Sequence, residues 1–138
     1  MNFKLAIIGG GAAGFFAAIN AAEMSPDMEV HVFEKAAQFL SKVRVSGGGR
    51  CNVTHACFNP KELIQFYPRG SRELLGPFYV FNPADTIEWF EKRRVKIQAE
   101  ADGRMFPVTN TSQTIIDCFL REAEHYNVQL HTQIGLTG

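Results

Sequence analysis

Apolar and polar positions along the first 34 residues predict a strand, a helix and a second strand. Lys4 to Ile8 is a short apolar run without polar alternation, the pattern of a parallel strand buried on both faces. Ala12 to about Met24 contains good helix formers and ends before Ser25-Pro26. Glu29 to Phe33 is rich in β-branched and aromatic residues. This order predicts a right-handed parallel βαβ unit over residues 3–34.

The next part of the chain leaves this alternation. Ser46 to Gly49 is too rich in glycine for the interior of a helix or strand and is predicted to be a loop, within a segment spanning residues 42–54. Asn59-Pro60 and Asn82-Pro83 each place a capping side chain before a proline at the first helical position. Two helices are therefore predicted, the second reaching about Arg93.

A hairpin, a helix and a third strand are predicted for the remainder. Val95 to Glu100 and Arg104 to Val108 flank the turn signal Asp102-Gly103, which completes an insertion of helices and hairpin over residues 59–108. Thr111 or Ser112 then caps a helix with apolar residues at helical spacing, followed by a strand from Val128 to Thr132, so that helix and strand occupy residues 111–134. The apolar positions of this helix are Ile115, Ile116, Phe119, Leu120 and Ala123.

The predicted fold class is α/β, a Rossmann-type domain with an incomplete parallel sheet and an insertion of helices and a hairpin. The third strand is expected beside the second. In the Rossmann order 3-2-1-4, the first strand would then lack its other neighbour along Leu5 to Ile8. We therefore expect residues 1–138 to be the N-terminal part of a longer chain, or to obtain the missing strand from a partner.

Composition narrows the class of ligand. The 138 residues are 46% hydrophobic and 20% charged, as in a globular domain, and 14 basic residues balance 14 acidic ones. This balance gives no electrostatic reason to expect a nucleic-acid or membrane partner, so a small-molecule substrate is expected. No apolar run is long enough to span a bilayer, which makes the cytoplasm the default location. The cysteines, at 51, 57 and 118, have no C-x-x-C spacing and are expected to be reduced.

The loop between the first strand and helix carries the first motif with chemical meaning. Gly9, Gly11 and Gly14 form G-x-G-x-x-G, in which the glycines permit a tight turn, approach of a pyrophosphate and close helix–strand packing. The helix N-terminus adds N–H groups and a partial positive charge of about half a unit. The pattern alone is weak, because such a turn can serve packing only.

Glu34 strengthens the dinucleotide interpretation. It lies at the end of the second strand, where a carboxylate can accept hydrogen bonds from both ribose hydroxyls of an adenosine. A solvated charge at a strand end is the alternative. A free carboxylate here also disfavours a ribose that carries a 2′-phosphate.

A second glycine motif follows, Ser46-Gly47-Gly48-Gly49-Arg50-Cys51-Asn52. Three residues without Cβ atoms allow the backbone to lie against a flat or phosphorylated ligand, and Arg50 offers a permanent charge. A flexible linker is the alternative, although linkers seldom end in such a cluster.

Taken together, these motifs resemble the bacterial family of NAD(P)/FAD-dependent oxidoreductases that includes aminoacetone oxidase and is distantly related to the fumarate reductase flavoproteins. The resemblance rests on the two glycine motifs, Val32 to Lys35, Lys42-Val43, Val53-Thr54 and Asp102 to Pro107, and it covers essentially the whole chain. It implies a chain about three times as long, with a cap domain and a C-terminal FAD segment that are absent here. Leu40 departs from the glycine found in many members.

The resemblance also implies roles for individual residues. The ADP part of FAD would be held by Gly9, Gly11, Ala12, Ala13, Gly14, Glu34 and Lys35, and the adenine would touch backbone near Ile134. Lys42 and the loop from Ser46 to Asn52 would follow the pyrophosphate, ribityl chain and flavin. Arg50 would stabilise the reduced flavin from its N1 and O2 side. A structural tether for the loop is the equal alternative for Arg50.

Other polar residues have simpler interpretations. Cys51 is expected to be a packing residue more than a redox thiol, and Cys118 belongs to the core. The histidines lack metal-ligand spacing, and the aromatics are more typical of a core than of a flavin face. Arg104 is a minor candidate for a substrate contact. The histidines are His31, His55, His125 and His131, and the aromatics are Phe66, Tyr67, Phe78, Tyr79 and Phe81.

Three functional hypotheses remain. The first is a portion of an FAD-dependent oxidoreductase, reduced by NAD(P)H or by substrate, whose catalytic residues are unknown. The second is a dinucleotide-binding sensor or scaffold without turnover. The third, NAD as sole cofactor, leaves the Ser46–Asn52 loop without a role. By themselves, residues 1–138 are expected to be inactive, to bind cofactor weakly and to aggregate.

Overall fold

The computed structural model describes residues 3–137. Its six strands and six helices alternate in a regular first part and a less regular middle part. In chain order they are β1 (Lys4–Ile8), α1 (Ala12–Met24), β2 (Glu29–Phe33), α2 (Ser41–Gly49), β3 (Thr54–His55), α3 (Pro60–Leu63), α4 (Ser71–Val80), α5 (Pro83–Glu91), β4 (Ile97–Ala99), β5 (Arg104–Pro107), α6 (Ser112–His125) and β6 (Gln129–His131), with a 3₁₀ turn at Ile64–Phe66.

A three-stranded parallel sheet organises the fold. Its order is β1-β2-β6, with Leu5 opposite Val30 and Val32 opposite Leu130. Helices α1 and α6 cover one face, because their apolar stripes meet the buried side of the sheet. The predicted βαβ unit and the position of the third strand beside the second are confirmed, although the third strand is shorter than Val128 to Thr132.

The opposite face and one edge of this sheet are open. Strand β1 pairs only with β2 among the described residues, so the predicted bare edge is present. The prediction that β1 is buried on both faces is wrong, since Lys4, Ala6 and Ile8 are exposed and Ile8 retains 54% of its accessible surface. These alternate side chains lie on the face that α1 and α6 leave uncovered.

A small antiparallel sheet, in the order β3-β5-β4, lies in the middle of the sequence. The predicted hairpin around Asp102-Gly103 is present, with strands shorter than predicted, and Gly103 has a φ of 85°. Strand β3 was not predicted. It pairs Thr54 with Met105 and His55 with Arg104, which joins the second glycine loop to the hairpin.

The capping predictions hold. Asn59 accepts a hydrogen bond from Lys61 N at 2.9 Å, and Asn82 accepts one from Ala84 N at 2.8 Å. Thr111, not Ser112, caps α6. Helix α3 is only one turn long and α5 ends at Glu91, close to the predicted end. Helices α2 and α4 were not predicted.

No helix between residues 3 and 137 is both long enough and apolar enough to cross a bilayer.

Candidate functional site

The loop between β1 and α1 has the geometry that its three glycines predict. Gly9 has a φ of 107°, and its N–H donates to Phe33 O at 2.8 Å. A Cβ atom on Gly14 would lie 2.0 Å from Gly9 O, so only glycine allows the helix to pack this closely on the turn. A Cβ on Gly11 would meet nothing within 4 Å. The space in front of Gly11 is therefore open to a ligand.

The N-terminus of α1 faces this open space. Gly11 is the N-cap residue and supplies no side-chain hydrogen bond, and the first turn contains no acidic side chain. The N–H groups of the first turn and the positive end of the helix dipole are thus left to an anionic ligand.

Glu34 closes the far side of the same loop. Its two carboxylate oxygens accept hydrogen bonds from Gly10 N at 2.9 Å and Ala36 N at 2.8 Å. These backbone N–H groups, that of Ala36 first, lower the pKa of the carboxyl below its ordinary value, so it is ionised at neutral pH. Each carboxylate oxygen keeps a lone pair that can accept a further hydrogen bond.

The segment from Gln133 to Gly135 lies next to Glu34. Ile134 N donates to Glu34 O at 3.0 Å and Gln133 N donates to Ala36 O at 3.1 Å. The side chain of Ile134 is half exposed, and Lys35 lies beside Gly135. The structure therefore brings Ile134 and Lys35, two residues assigned to the adenosine end by resemblance, next to Glu34.

The second glycine motif forms a loop at the end of α2. Ser46, Gly47 and Gly48 leave helical geometry, and Gly47, Gly48, Gly49 and Cys51 all have positive φ angles between 56° and 87°. A Cβ on Gly47 would lie 2.8 Å from both Asn52 N and the Phe106 ring. The loop prediction is confirmed, and the flexible-linker alternative is wrong because the loop packs on β5.

Arg50 is held by residues of this chain. Its guanidinium forms an ion pair with Glu100, where the second contact, Nη2 to Oε2, measures 3.5 Å. It also lies 3.9 Å from the centre of the Phe106 ring, a cation–π arrangement. These contacts support the tether alternative for Arg50, since they fix the second loop to the hairpin.

A groove of about 630 Å³ joins the two glycine loops. Gly11, Ala12 and Ala13 line one end, and Ser46, Cys51 and Asn52 line the other, with Lys42 as the only charged residue of the lining. This volume is typical of small-molecule sites. The remaining walls are largely apolar and come from α5, α6 and their surroundings, namely Phe16, Val43, Val53, Phe81, Thr86, Trp89, Phe90, Ile115 and Phe119.

The apolar wall of the groove was not predicted from the sequence. Trp89, Phe90, Ile115 and Phe119 are buried core residues that also line the groove. Their apolar spacing identifies a helix face but does not distinguish a face that meets another element from one that borders a cavity.

The two buried thiols, Cys51 and Cys118, are poor nucleophiles. Burial raises the pKa of Cys51, and it raises that of Cys118 to about 11, so both remain protonated at neutral pH. Cys51 packs in the core beside the groove, as its packing interpretation predicts, and Cys118 is fully buried as expected.

Two histidines meet although 100 positions separate them. His31 Nδ1 lies 2.9 Å from His131 Nε2, and His31 Nε2 lies 2.8 Å from Glu29 Oε1. The pairing arises because β2 and β6 are neighbours, which sequence spacing does not reveal. Within residues 3–137, no group of three or more His, Cys, Asp or Glu side chains is placed to hold a metal.

The core interpretation of the middle aromatics is wrong. Phe66 and Tyr79 each retain 60% of their surface, and none of the five residues is buried. Phe81 packs edge-on against Phe16 at 5.2 Å and lines the groove. Arg104 is exposed and pairs with Asp102 at 2.7 Å, outside the groove.

Comparison with known proteins agrees with this geometry. Residues 3–138 match the model of a family described as the HI0933-like protein Rossmann domain. This chain belongs to that family. The family recognised from the glycine motifs and the Rossmann fold class are both confirmed.

Two curated relatives are similar over nearly the whole chain. A 3-dehydro-bile acid delta(4,6)-reductase from Clostridium scindens is 26% identical over 131 residues, 95% of this chain and 31% of that protein. A ribosomal RNA dihydrouridine synthase from Escherichia coli is 29% identical over 127 residues, 92% of this chain and 30% of that protein. The chain therefore spans about three tenths of these relatives, both of which are named for oxidoreductase activities.

A solved structure shows the same fold. The crystal structure of Thermovibrio ammonificans THI4 superposes with a TM-score of 0.58 at 14% identity, covering 95% of this chain and 38% of that one.

Proposed function

We propose that this chain forms the FAD-binding portion of a flavin-dependent oxidoreductase that acts on a small-molecule substrate. The observation that carries the proposal is the single groove lined at one end by the dinucleotide loop and at the other by the Ser46–Asn52 loop. NAD as sole cofactor would explain the first loop only.

The residues at the dinucleotide end of the groove, and those around Glu34 next to the same loop, fit the proposed cofactor. Gly11 leaves open space for a pyrophosphate, and the uncapped N-terminus of α1 supplies donors to it. Glu34 is ionised and retains acceptor positions for two ribose hydroxyls, and the same charge would repel a 2′-phosphate. Ile134, whose N–H donates to Glu34 O, would offer backbone to the adenine, and Lys35 lies beside the next residue, Gly135.

The flavin half would lie along the second loop. Lys42 supplies a positive charge on the wall between the two loops, and the positive φ angles of Gly47 to Gly49 present backbone without side chains. Asn52 and Cys51 line this end. Arg50 acts chiefly by tethering the loop to Glu100 and Phe106. When bound, the flavin supplies hydride and electron transfer, while the chain binds it, orients it and excludes water with the apolar wall.

Reconstitution of the complete protein with FAD tests this function. We expect a flavin absorbance spectrum with FAD at stoichiometric occupancy, and a protein that binds NAD but no FAD would refute the proposal. Glu34→Ala should raise the Kd for FAD at least about tenfold, since hydrogen bonds to a charged group contribute about 1.5–3 kcal/mol. Glu124→Ala, which removes an exposed carboxylate on α6, is the matched control and should leave the Kd unchanged.

The electron donor is a separate part of the proposal. We propose NAD(P)H or the substrate as reductant, and anaerobic mixing of the FAD-loaded protein with NADH or NADPH tests the former through loss of flavin absorbance. Bleaching by either nucleotide, reversed by oxygen or an acceptor, identifies an enzyme. A bound flavin that no nucleotide and no substrate reduces would favour the non-catalytic module.

A further inference from the structure

A second pocket, of about 410 Å³, lies beside the groove. The two share four lining residues, Asn52, Val53, Phe81 and Thr86, so a ligand in the second pocket would contact the same walls as a ligand in the groove. No residue that lines the second pocket carries a permanent charge. Its walls combine aromatic and aliphatic side chains with uncharged polar groups.

His55 is held rigidly in this pocket. Its backbone belongs to β3, and the following residue is fixed by a 2.7 Å hydrogen bond from Ala56 N to Gly103 O. The ring packs on Phe66 with 4.4 Å between centroids. Gly103 also lies close to the ring, because a Cβ at that position would approach the imidazole to 2.5 Å. The glycine of the Asp102-Gly103 turn thus makes room for the ring, a role beyond the turn itself.

The imidazole is free to bind a ligand. Its ring packs on Phe66 and lies close to Gly103, and within residues 3–137 neither ring nitrogen has a hydrogen-bond partner. A neutral imidazole carries one N–H donor and one acceptor nitrogen. A positioned donor in a pocket without charges favours an uncharged acceptor on the ligand.

Most other polar groups of the pocket are already occupied. Asn82 Oδ1 caps α5, and Thr86 Oγ1 donates to Asn82 O at 3.2 Å. The Asn52 amide, with its nitrogen towards the strand, donates to Thr54 O at 3.0 Å. The donors left for a ligand are therefore the His55 ring, the Asn82 side-chain nitrogen and the hydroxyls of Thr54 and Tyr67. They lie in the same lining as the aromatic residues Phe78 and Phe81.

We propose that this pocket binds an uncharged ring that bears a carbonyl group, with the carbonyl oxygen accepting a hydrogen bond from His55. The inference that this ligand is a substrate rests on the proposed function, because the ligand would then lie next to the proposed FAD groove. The occupancy of the pocket itself depends on His55 and its neighbours and can be measured with or without FAD.

The test uses the complete protein labelled with ¹³C-histidine and 2-cyclohexen-1-one as probe. The His55 resonance, assigned with His55→Gln, should shift on titration, while that of His125, which lies on α6 away from the pocket, should not. Benzoate, a flat ring with a charge, should shift neither. Absence of a His55 shift at the solubility limit of the probe would overturn the proposal.

Variants measured by ligand-observed saturation transfer test the hydrogen bond. His55→Leu should raise the probe Kd about fivefold to tenfold, and His55→Gln, which restores a donor, should stay within about twofold of the wild type. His125→Leu is the matched control and should not change the Kd. If His55→Leu is folded and binds the probe as tightly as the wild type, the role of His55 is overturned.

FAD titration separates the two proposals. FAD binding that is unchanged in His55→Leu, together with probe binding that is lost, supports both. Direct competition between FAD and the probe would show that the pocket is part of the cofactor site and would overturn the inference while leaving the proposed function intact. Probe binding by a protein that does not bind FAD would refute the proposed function and leave the second pocket supported as a ligand site.

Discussion

Gly14→Ala tests whether the dinucleotide loop depends on close contact between helix and turn. The added Cβ would lie 2.0 Å from Gly9 O, 3.2 Å from Gly9 C and 3.4 Å from the Ile7 Cγ2 atom. Contacts of a Cβ below 3.0 Å are essentially never observed, so α1 must move away from the turn by about 1 Å. This movement should weaken the packing of α1 and displace the N–H groups at its N-terminus.

Two opposing effects set the magnitude. Overpacking of a well-filled site costs about 1–3 kcal/mol, whereas replacing glycine by alanine in a helix contributes about 0.5–1 kcal/mol of stability. We therefore expect Gly14→Ala to lower the free energy of unfolding by about 1–2 kcal/mol and to weaken FAD binding. Urea denaturation measures the first effect, and FAD fluorescence titration measures the second.

Two other glycines provide matched controls. Gly11→Ala meets no atom within 4 Å, so it should leave stability unchanged but block a pyrophosphate and weaken FAD binding at least about tenfold. Gly76→Ala, inside α4 and equally unobstructed, should stabilise the protein by about 0.5–1 kcal/mol without affecting FAD. Wild-type stability in Gly14→Ala, or wild-type FAD affinity in Gly11→Ala, would refute this reasoning.

Three further predictions concern the second loop, the thiols and pH. Glu100→Gln should cost only about 0.2–1 kcal/mol, because the Arg50–Glu100 pair is about one-third exposed, and a double-mutant cycle with Arg50→Lys should show coupling; strict additivity would disprove the tether. Iodoacetamide at pH 8 should label Cys57 well before Cys118, whose thiol has a pKa of about 11; equal rates by mass spectrometry would contradict its burial. Because folding lowers the pKa of Glu34, the ionised carboxylate stabilises the fold fully above pH 4.5, its ordinary pKa, and this stabilisation is lost as pH falls through the lower folded pKa. Glu34→Gln should therefore flatten the acid part of the curve of unfolding free energy against pH. An unchanged curve in this variant would contradict the role of Glu34.

The sequence predicted the first part of the fold best, because several local signals agreed there. The run Lys4 to Ile8, the three glycines and the break at Ser25-Pro26 indicate the same boundaries for β1 and α1 that the structure has. Helix α4 was missed because Gly76 and Pro77 lie inside it, and both residues usually argue against a helix. Helix α2 was missed because the glycine run Gly47 to Gly49 forms its last residues, and glycine usually argues against a helix.

Prediction of the site was limited by distance along the chain. Glu34 and the two loops could be identified because each has a local motif. Two contacts join residues about 50 positions apart, and no local pattern predicts them. They are the ion pair of Arg50 with Glu100 and the close approach of His55 to Gly103. The groove itself depends on how α1, α5 and α6 pack around the space between the two loops, which is a property of packing and not of spacing.

The groove is built from two loops that belong to different structural units. The first loop is fixed by the parallel sheet and α1, whereas the second is fixed by Arg50, Phe106 and the hairpin. A substitution in the hairpin therefore acts first on the second loop, although one continuous core joins the two units. The Ser46–Asn52 end of the groove can thus be altered through the hairpin while the backbone contacts that hold the first loop stay in place.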